Sequence, residues 1–332
     1  MNQPEKRKRK SSKINGRIGI SSVICRVASV QATPVFLDKK ATIEKGCHLI
    51  EEAGRNGASL VVFPETWVPG YPFWLTRVPP RPGLASKTYA RLNKNAVDIP
   101  GPETKRLSVA AKKAGVIVAM GVHERTNSGT LYNTVIYIGR SGELLGKHRK
   151  LVPTYHERLV WAQGDGSTLG VFDTEIGRLG GLICWEHWMP LARCALYAQG
   201  EQIHTAVWPS MNENFLLACR SIAFEGRLFV IVSASYMTKA DIPGDFELND
   251  EMIDLPDVIA RGGSCIIGPD ASFIVDPVYD KETILYADID LEQGIHGKQT
   301  LDVVGHYARP EVLKLYVNRK EMTPVIFNES ES

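Results

Sequence analysis

Apolar and polar positions along this chain repeat with two different periods. SLVVF (Ser59 to Phe63) is a short, mostly apolar run that stops at Pro64, as a strand covered on both faces does. DKKATIEKGCHLIEEAGRNGA instead carries Ile43, Cys47 and Ile50 at helical spacing and closes on glycine, which predicts an amphipathic helix. Both patterns recur. RVASVQATPVF predicts a first strand and its exit, PETKRLSVAAKKAG a helix entered at Pro102 and left at Gly115, and VIVAMG the next strand. LYNTVIYIG and ELLGKHRK predict a hairpin about Arg140-Ser141-Gly142, and STLGVFDTEIG with RLGGLIC a second about Ile176-Gly177. MPLARCALYAQG and ENFLLACRSIAFEGR then read as helices, and IHTAVWPS, LFVIVSAS, SCIIG and TILYADID as strands.

Helices interleaved with strands predict an α/β fold, while the hairpins exclude a purely parallel doubly wound sheet. Mixed sheets layered with helices fit both signals. No internal repeat or low-complexity linker interrupts the middle of the chain, so residues 23–290 read as one domain. Residues 1–22 form a basic leader with KRKRK at Lys6 to Lys10, expected to be solvated and disordered. A localisation or nucleic-acid signal is the alternative for that run. Beyond about Asp290 the periodicity weakens, and residues 291–332 read as an extended tail placed at a subunit interface.

Composition removes several functional classes. The 332 residues carry a formal charge of only +2, so no nucleic-acid or membrane partner is expected. No apolar run approaches the roughly 20 residues of a membrane span. Six cysteines (Cys25, Cys47, Cys184, Cys194, Cys219 and Cys265) lack CxxC pairing, which predicts reduced thiols and a cytoplasmic protein. His123, His148, His156 and His204 show no ligand spacing with them, so no metal is expected. Without a GxGxxG or P-loop pattern, no nucleotide cofactor is expected either.

The chemistry gathers at three strand exits. Glu65 stands just past SLVVF in FPETWVPGYPFW, Lys150 just past the strand near Glu143 to Lys147, and Cys184 just past GRLGGLI. Functional groups of layered α/β folds collect where strands end. Singly, each residue has a plainer explanation: an isolated cysteine after an apolar strand is more often core, Lys150 is ordinary surface, and Glu65 caps the next element. Together they form a nucleophile, a base and a cation. A thiol near pKa 8.5 needs its proton removed or its thiolate stabilised, and Glu65 and Lys150 supply those functions. Glu157, seven residues past Lys150, is a second carboxylate that could hold the lysine or position a water. His187, three residues past Cys184, invites a Cys–His dyad, but a helix entered at Pro190 would turn its ring away. Tyr71, Trp161, Trp185, His187 and Trp188 are candidate walls of a substrate pocket, with the Trp185 amide a candidate oxyanion donor.

FPETWVPGYPFW, HRKLVPTYHERLVWAQGDGS and GLICWEHWMPLARCALYAQG resemble, in order, the three signature regions of the nitrilase superfamily. The resemblance runs from about Cys25 to about Arg309, and CWEHWMPL with RKLVPT and ERLVWAQGDGS is most similar to its true nitrilase branch. It implies a four-layer α-β-β-α sandwich, homodimers joined through helices on one face with the tail reaching across, and, in that branch, spiral oligomers. It implies Cys184 as nucleophile, Glu65 as general base, Lys150 as stabiliser of the tetrahedral species and Glu157 as the second glutamate. The expected reaction is hydrolysis of a small organic nitrile to the acid and ammonia without a cofactor. An amidase or N-carbamoyl hydrolase with the same site is the alternative, cyanide processing a narrower variant, and a catalytically silent scaffold the reading from another class.

Overall fold

The computed structural model describes residues 24–76, 82–252, 254–323 and 325. The leader 1–22, with its basic run, lies outside the described residues. Two mixed sheets dominate them. The first follows the order β14-β1-β2-β4-β5-β6, with β1 Ile24–Gln31, β2 Leu60–Val62, β4 Ile117–Arg125, β5 Leu131–Ile138, β6 Leu144–Arg149 and β14 Thr283–Asp290. The short β3 (Val97–Asp98) pairs with the end of β4. The second follows β11-β12-β10-β9-β8-β7, with β7 Phe172–Thr174, β8 Gly177–Ile183, β9 Ile203–Trp208, β10 Phe229–Ala234, β11 Tyr236–Thr238 and β12 Val258–Ile267. β13 (Phe273–Tyr279) pairs with β12.

Alternation along β2 explains the layering. Leu60 and Val62 face the second sheet with Val27, Ile117, Ala119 and Val135. Val61 and Phe63 face the opposite way, onto Ile43, Cys47 and Ile50 of α1 (Lys39–Arg55) and Leu107, Ala110 and Ala111 of α3 (Pro102–Ala114). A strand buried on both faces must be apolar throughout, and burying each Leu, Ile, Val or Phe stabilises by roughly 1.5–3 kcal/mol. Beyond the second sheet, α5 (Glu213–Gly226) adds Leu216, Cys219 and Ile222 to the core, and α4 (Pro190–Tyr197) packs Ala192, Ala195 and Leu196 against Leu182. The result is a four-layer α-β-β-α sandwich. Polar side chains trapped between the sheets are paired: Ser29 Oγ donates to Val232 O (2.6 Å), Ser233 Oγ to Val30 O (2.7 Å), and the Tyr137 hydroxyl meets Thr205 Oγ1 at 3.0 Å.

Local signals set the helix limits. Asp38 caps α1 by accepting the Ala41 N–H at 2.9 Å, Pro102 opens α3, and Gly115 closes it in the left-handed region (φ 67°). Several elements escape the periodicity. Helix α2 (Pro82–Lys94) carries a thin apolar stripe and packs Leu92 into a satellite cluster with Phe36, Trp74, Leu131 and Phe246. β11 is short, and β13 is a partly exposed strand interrupted by Pro277. The segment expected to be extended from residue 291 opens instead with α6 (Glu292–Gly297). The described residues of its later part form no helix or strand and touch the body where the Met322 N–H donates to Asp165 Oδ2 (2.8 Å). Among the described residues no helix is long and apolar enough to cross a membrane.

Gly121 in β4 lets the Glu65 loop lie directly on the sheet. A Cβ there would collide with the Pro64 carbonyl oxygen and the Thr66 amide nitrogen, neither of which can swing aside. Gly121→Ala is therefore expected to lower stability by about 1–3 kcal/mol. Chemical denaturation checks this, and an unchanged midpoint would show that the loop yields freely.

Candidate functional site

β2, β6 and β8 end at the same side of the sandwich, and each exit delivers one polar side chain into a shared, dry space. Cys184 follows β8 immediately and sits in the left-handed region (φ 54°), which costs a non-glycine residue about 1–3 kcal/mol. That sharp exit starts a 3-10 turn, Cys184–Trp188, and brings the thiol out of the strand direction. Lys150 follows β6, its N–H donating to Asn133 O at 2.8 Å, and Glu65 follows β2 past Pro64. Glu157 lies on the 3-10 turn Tyr155–Leu159, where its Oε2 accepts the Thr154 N–H at 2.7 Å.

The four groups meet. Lys150 Nζ donates to Glu65 Oε1 (2.9 Å) and to Glu157 Oε2 (2.7 Å), and the side chains of Lys150 and Glu65 are fully buried. A ligand atom from each of Glu65, Glu157 and Cys184 lies within 4.8 Å of the other two. Such a donor set could attract a metal ion, but the cation placed between the carboxylates is the Lys150 ammonium. Glu65 Oε2 is buried and has no hydrogen-bond partner among the described residues. It is the free carboxylate acceptor beside the thiol.

Burial pushes the Glu65 carboxyl up to about 7, with Glu157 adding to the shift and Lys150 and Asn133 opposing it. Burial also raises the Cys184 thiol well above its ordinary value, helped by Glu65 and opposed by Lys150. Burial alone would depress the Lys150 ammonium, but Cys184, Glu65 and Glu157 outweigh it and hold the group charged. The resting thiol is protonated and stands beside a carboxylate that titrates near neutrality. Proton transfer between them at the moment of attack is therefore the chemistry available.

The expected pocket residues separate into three groups. Tyr71 donates its hydroxyl to Glu157 Oε1 at 2.7 Å, and burial, then Glu157, holds that phenol protonated. Trp161 packs edge-on to Tyr71 and places its ring centroid 5.9 Å from Lys150 Nζ. Trp185 (50% exposed) and Trp188 (38%) reach solvent, Trp185 meeting Phe215 edge-on. His187 is fully buried: the 3-10 turn folds its ring back so that Nδ1 meets the Cys184 carbonyl at 2.6 Å, and it stacks on Trp208. Burial and the neighbouring His204 keep His187 neutral, so Nδ1 donates this bond. It braces the backbone of Cys184 and presents no surface to an incoming ligand.

Two participants escaped the sequence reading. Asn133 Nδ2 donates to Glu65 Oε1 at 2.6 Å, so one carboxylate oxygen is held by both an amide and an ammonium. His123, its pKa lowered to about 3 by burial, accepts the Trp161 Nε1–H at Nδ1 (3.0 Å) and donates from Nε2 to Gly70 O (3.1 Å). It joins the loop of Tyr71 to Trp161. A polar residue inside the apolar strands LYNTVIYI and IVAMGVHER was the available signal.

Comparison with known proteins matches residues 26–298 to the carbon-nitrogen hydrolase family. The chain belongs to that family. An aliphatic nitrilase of Sinorhizobium fredii (strain HH103) is 42% identical over 305 residues, spanning 91% of this chain and 98% of its own. A bifunctional nitrilase/nitrile hydratase of Lupinus angustifolius is 39% identical over 327 residues, 96% of this chain and 93% of its own. Among solved structures, Nit3 of Saccharomyces cerevisiae, described as a branch 10 member of the nitrilase superfamily, superposes with a TM-score of 0.66 at 21% identity. That match covers 86% of this chain and 96% of Nit3, and shows the same fold. This hydrolase therefore acts on carbon–nitrogen bonds.

The Asn133 hydrogen bond stabilises the ionised form of Glu65 and so lowers its pKa. In this hydrolase, Asn133→Ala is expected to raise that pKa further. An acid limb of the pH–rate profile that reports Glu65 ionisation, near 7 in the unaltered protein, should move to higher pH. An unmoved acid limb would detach Asn133 from the titration.

Proposed function

We propose that this hydrolase is a nitrilase in which Cys184 is the nucleophile, Glu65 the general base, Lys150 the electrostatic stabiliser and Glu157 the anchor of that lysine. Ionised Glu65 accepts the Cys184 proton on its free Oε2 as Sγ attacks the nitrile carbon, and returns it to the nitrile nitrogen to give a thioimidate. Water deprotonated by Glu65 adds to the same carbon, and the nitrogen takes the second proton. The tetrahedral species expels ammonia to leave a thioester, and a second water releases the acid and restores the thiol. Lys150 stabilises the negative charge that develops at each addition, in a site dry enough for that charge to be felt strongly. Loss of the thiol in place of ammonia would release the amide instead. No step calls for a cofactor.

The observation that carries nitrile over amide is the 42% identity to an aliphatic nitrilase along nearly its whole length, since amidases of this family would use the same four groups. Tyr71 and Trp161, packed against Glu157 and Lys150, are read as the inner wall of the pocket, with Trp185 and Trp188 at its rim. Residues 23–290 are read as one catalytic domain, supported by the family match to 26–298, and 291–332 as a tail across a subunit interface. Exposed Leu191, Leu217 and Phe224 on α4 and α5, and Tyr307, Leu313 and Tyr316 in the tail, support a homodimer able to extend into spirals. Six free cysteines support a cytoplasmic setting.

Ammonia release from a panel of nitriles and the matching amides tests the proposal. Release from nitriles is expected, and release from amides alone would overturn it in favour of an amidase. Cys184→Ala should fold normally, lose turnover to background and form no acyl adduct by mass spectrometry. Residual turnover above background would remove Cys184 as the nucleophile.

A further inference from the structure

One buried carboxylate ties together the two exits that deliver Lys150 and Cys184. Glu186 Oε2 accepts the N–H of Ile183, the residue before the cysteine, at 2.8 Å. Its Oε1 accepts the N–H of Leu151, the residue after the lysine, at 2.7 Å. A third donor, His148 Nε2, lies 2.9 Å from Oε2 and 3.2 Å from Oε1, and its Nδ1 lies 3.3 Å from Thr168 O. Both ring nitrogens of His148 therefore face acceptors, which requires the doubly protonated imidazolium. Burial would neutralise each partner, yet their attraction outweighs it, raising His148 and lowering Glu186.

Strand alternation explains how the three charged residues of HRK divide. His148 and Lys150 share one face of the β6 exit, toward the second sheet. Arg149 takes the other face, stacks on Tyr132 and donates to Glu124 at 2.8 Å.

We infer that Glu186 and His148 form a positioning pair that fixes the separation of Lys150 from Cys184. The inference rests on the proposed roles of those two residues. Glu186 touches no reacting atom, and acts through the two backbone amides it holds. A carboxylate is needed because all three groups that meet it are donors. A glutamine would turn its own NH₂ toward one of them and leave a buried N–H unmet, releasing one exit from the other.

The test compares full-length wild type with Glu186→Gln, His148→Gln and the double variant. It reads kcat and KM on a nitrile the wild type hydrolyses, the rate of Cys184 alkylation by iodoacetamide, and the melting temperature. Glu186→Gln is expected to lower kcat about 100-fold, the scale of a 1 Å misplacement, with KM within about threefold of wild type. Alkylation should slow by about tenfold for each unit the thiol pKa rises as Lys150 draws away. The double variant should lose no more than Glu186→Gln alone, because the two residues act as one unit. A folded Glu186→Gln protein with kcat and alkylation close to wild type, and only a lower melting temperature, would reduce the pair to a stabilising role and overturn the inference. If Glu186→Gln does not fold, His148→Gln decides, and wild-type kcat in that variant overturns the inference equally. A wild type that hydrolyses neither nitriles nor amides would sink the nitrilase reading, while the alkylation rates would still decide the positioning role.

Discussion

A lysine ammonium with no exposed surface, held 2.9 and 2.7 Å from two carboxylates, is the interaction around which this protein is organised. Removing an ion from water is costly, and removing either partner of such a pair typically costs 3–5 kcal/mol because a charge is left uncompensated. The surrounding contacts answer that demand. Asn133 and Tyr71 each supply a donor to one carboxylate, the Thr154 N–H supplies another, and Trp161 closes over the cation. Among the described residues the arrangement leaves two buried oxygens without a hydrogen-bond partner, Asn133 Oδ1 and Glu65 Oε2, and the second is a carboxylate oxygen open to a proton.

The sandwich exists, for this purpose, to deliver three strand ends to one place. β2 and β6 reach the site from the first sheet and β8 from the second, so the site needs both sheets to keep a fixed offset. The serine pair between β1 and β10 and the Tyr137–Thr205 contact hold that offset in the core. Close to the chemistry, Glu186 does so with a single carboxylate. Rigid strands carry the reactive groups, while the exits that bend sharply, at Thr66 and Cys184, adopt positive φ. At these two exits the strain accompanies the turn of the chain out of the strand direction.

Much of this architecture was legible in the pattern of residues. Strands buried on both faces announce themselves as continuous apolar runs, and helices α1 and α3 by their caps and apolar stripes. Helix α2 was not legible because its thin stripe packs into a satellite cluster, where few apolar positions are enough. Asn133 hid inside a strand whose other residues read as core, and no local pattern shows that the oxygens of Glu186 face backbone amides of two separate exits.

The sequence by itself determined which residues could carry the chemistry and which segments would form strands and helices. Those properties depend on side-chain type and on spacing within a dozen residues. Only the tertiary structure decided that Glu65, Lys150, Glu157 and Cys184 share one buried volume, and that His187, the imidazole closest to the cysteine in sequence, is spent on a backbone carbonyl. Convergence of strand ends from two sheets, and the loss of water that shifts Glu65 to about 7, are properties of the packed core. No local stretch of the chain contains them.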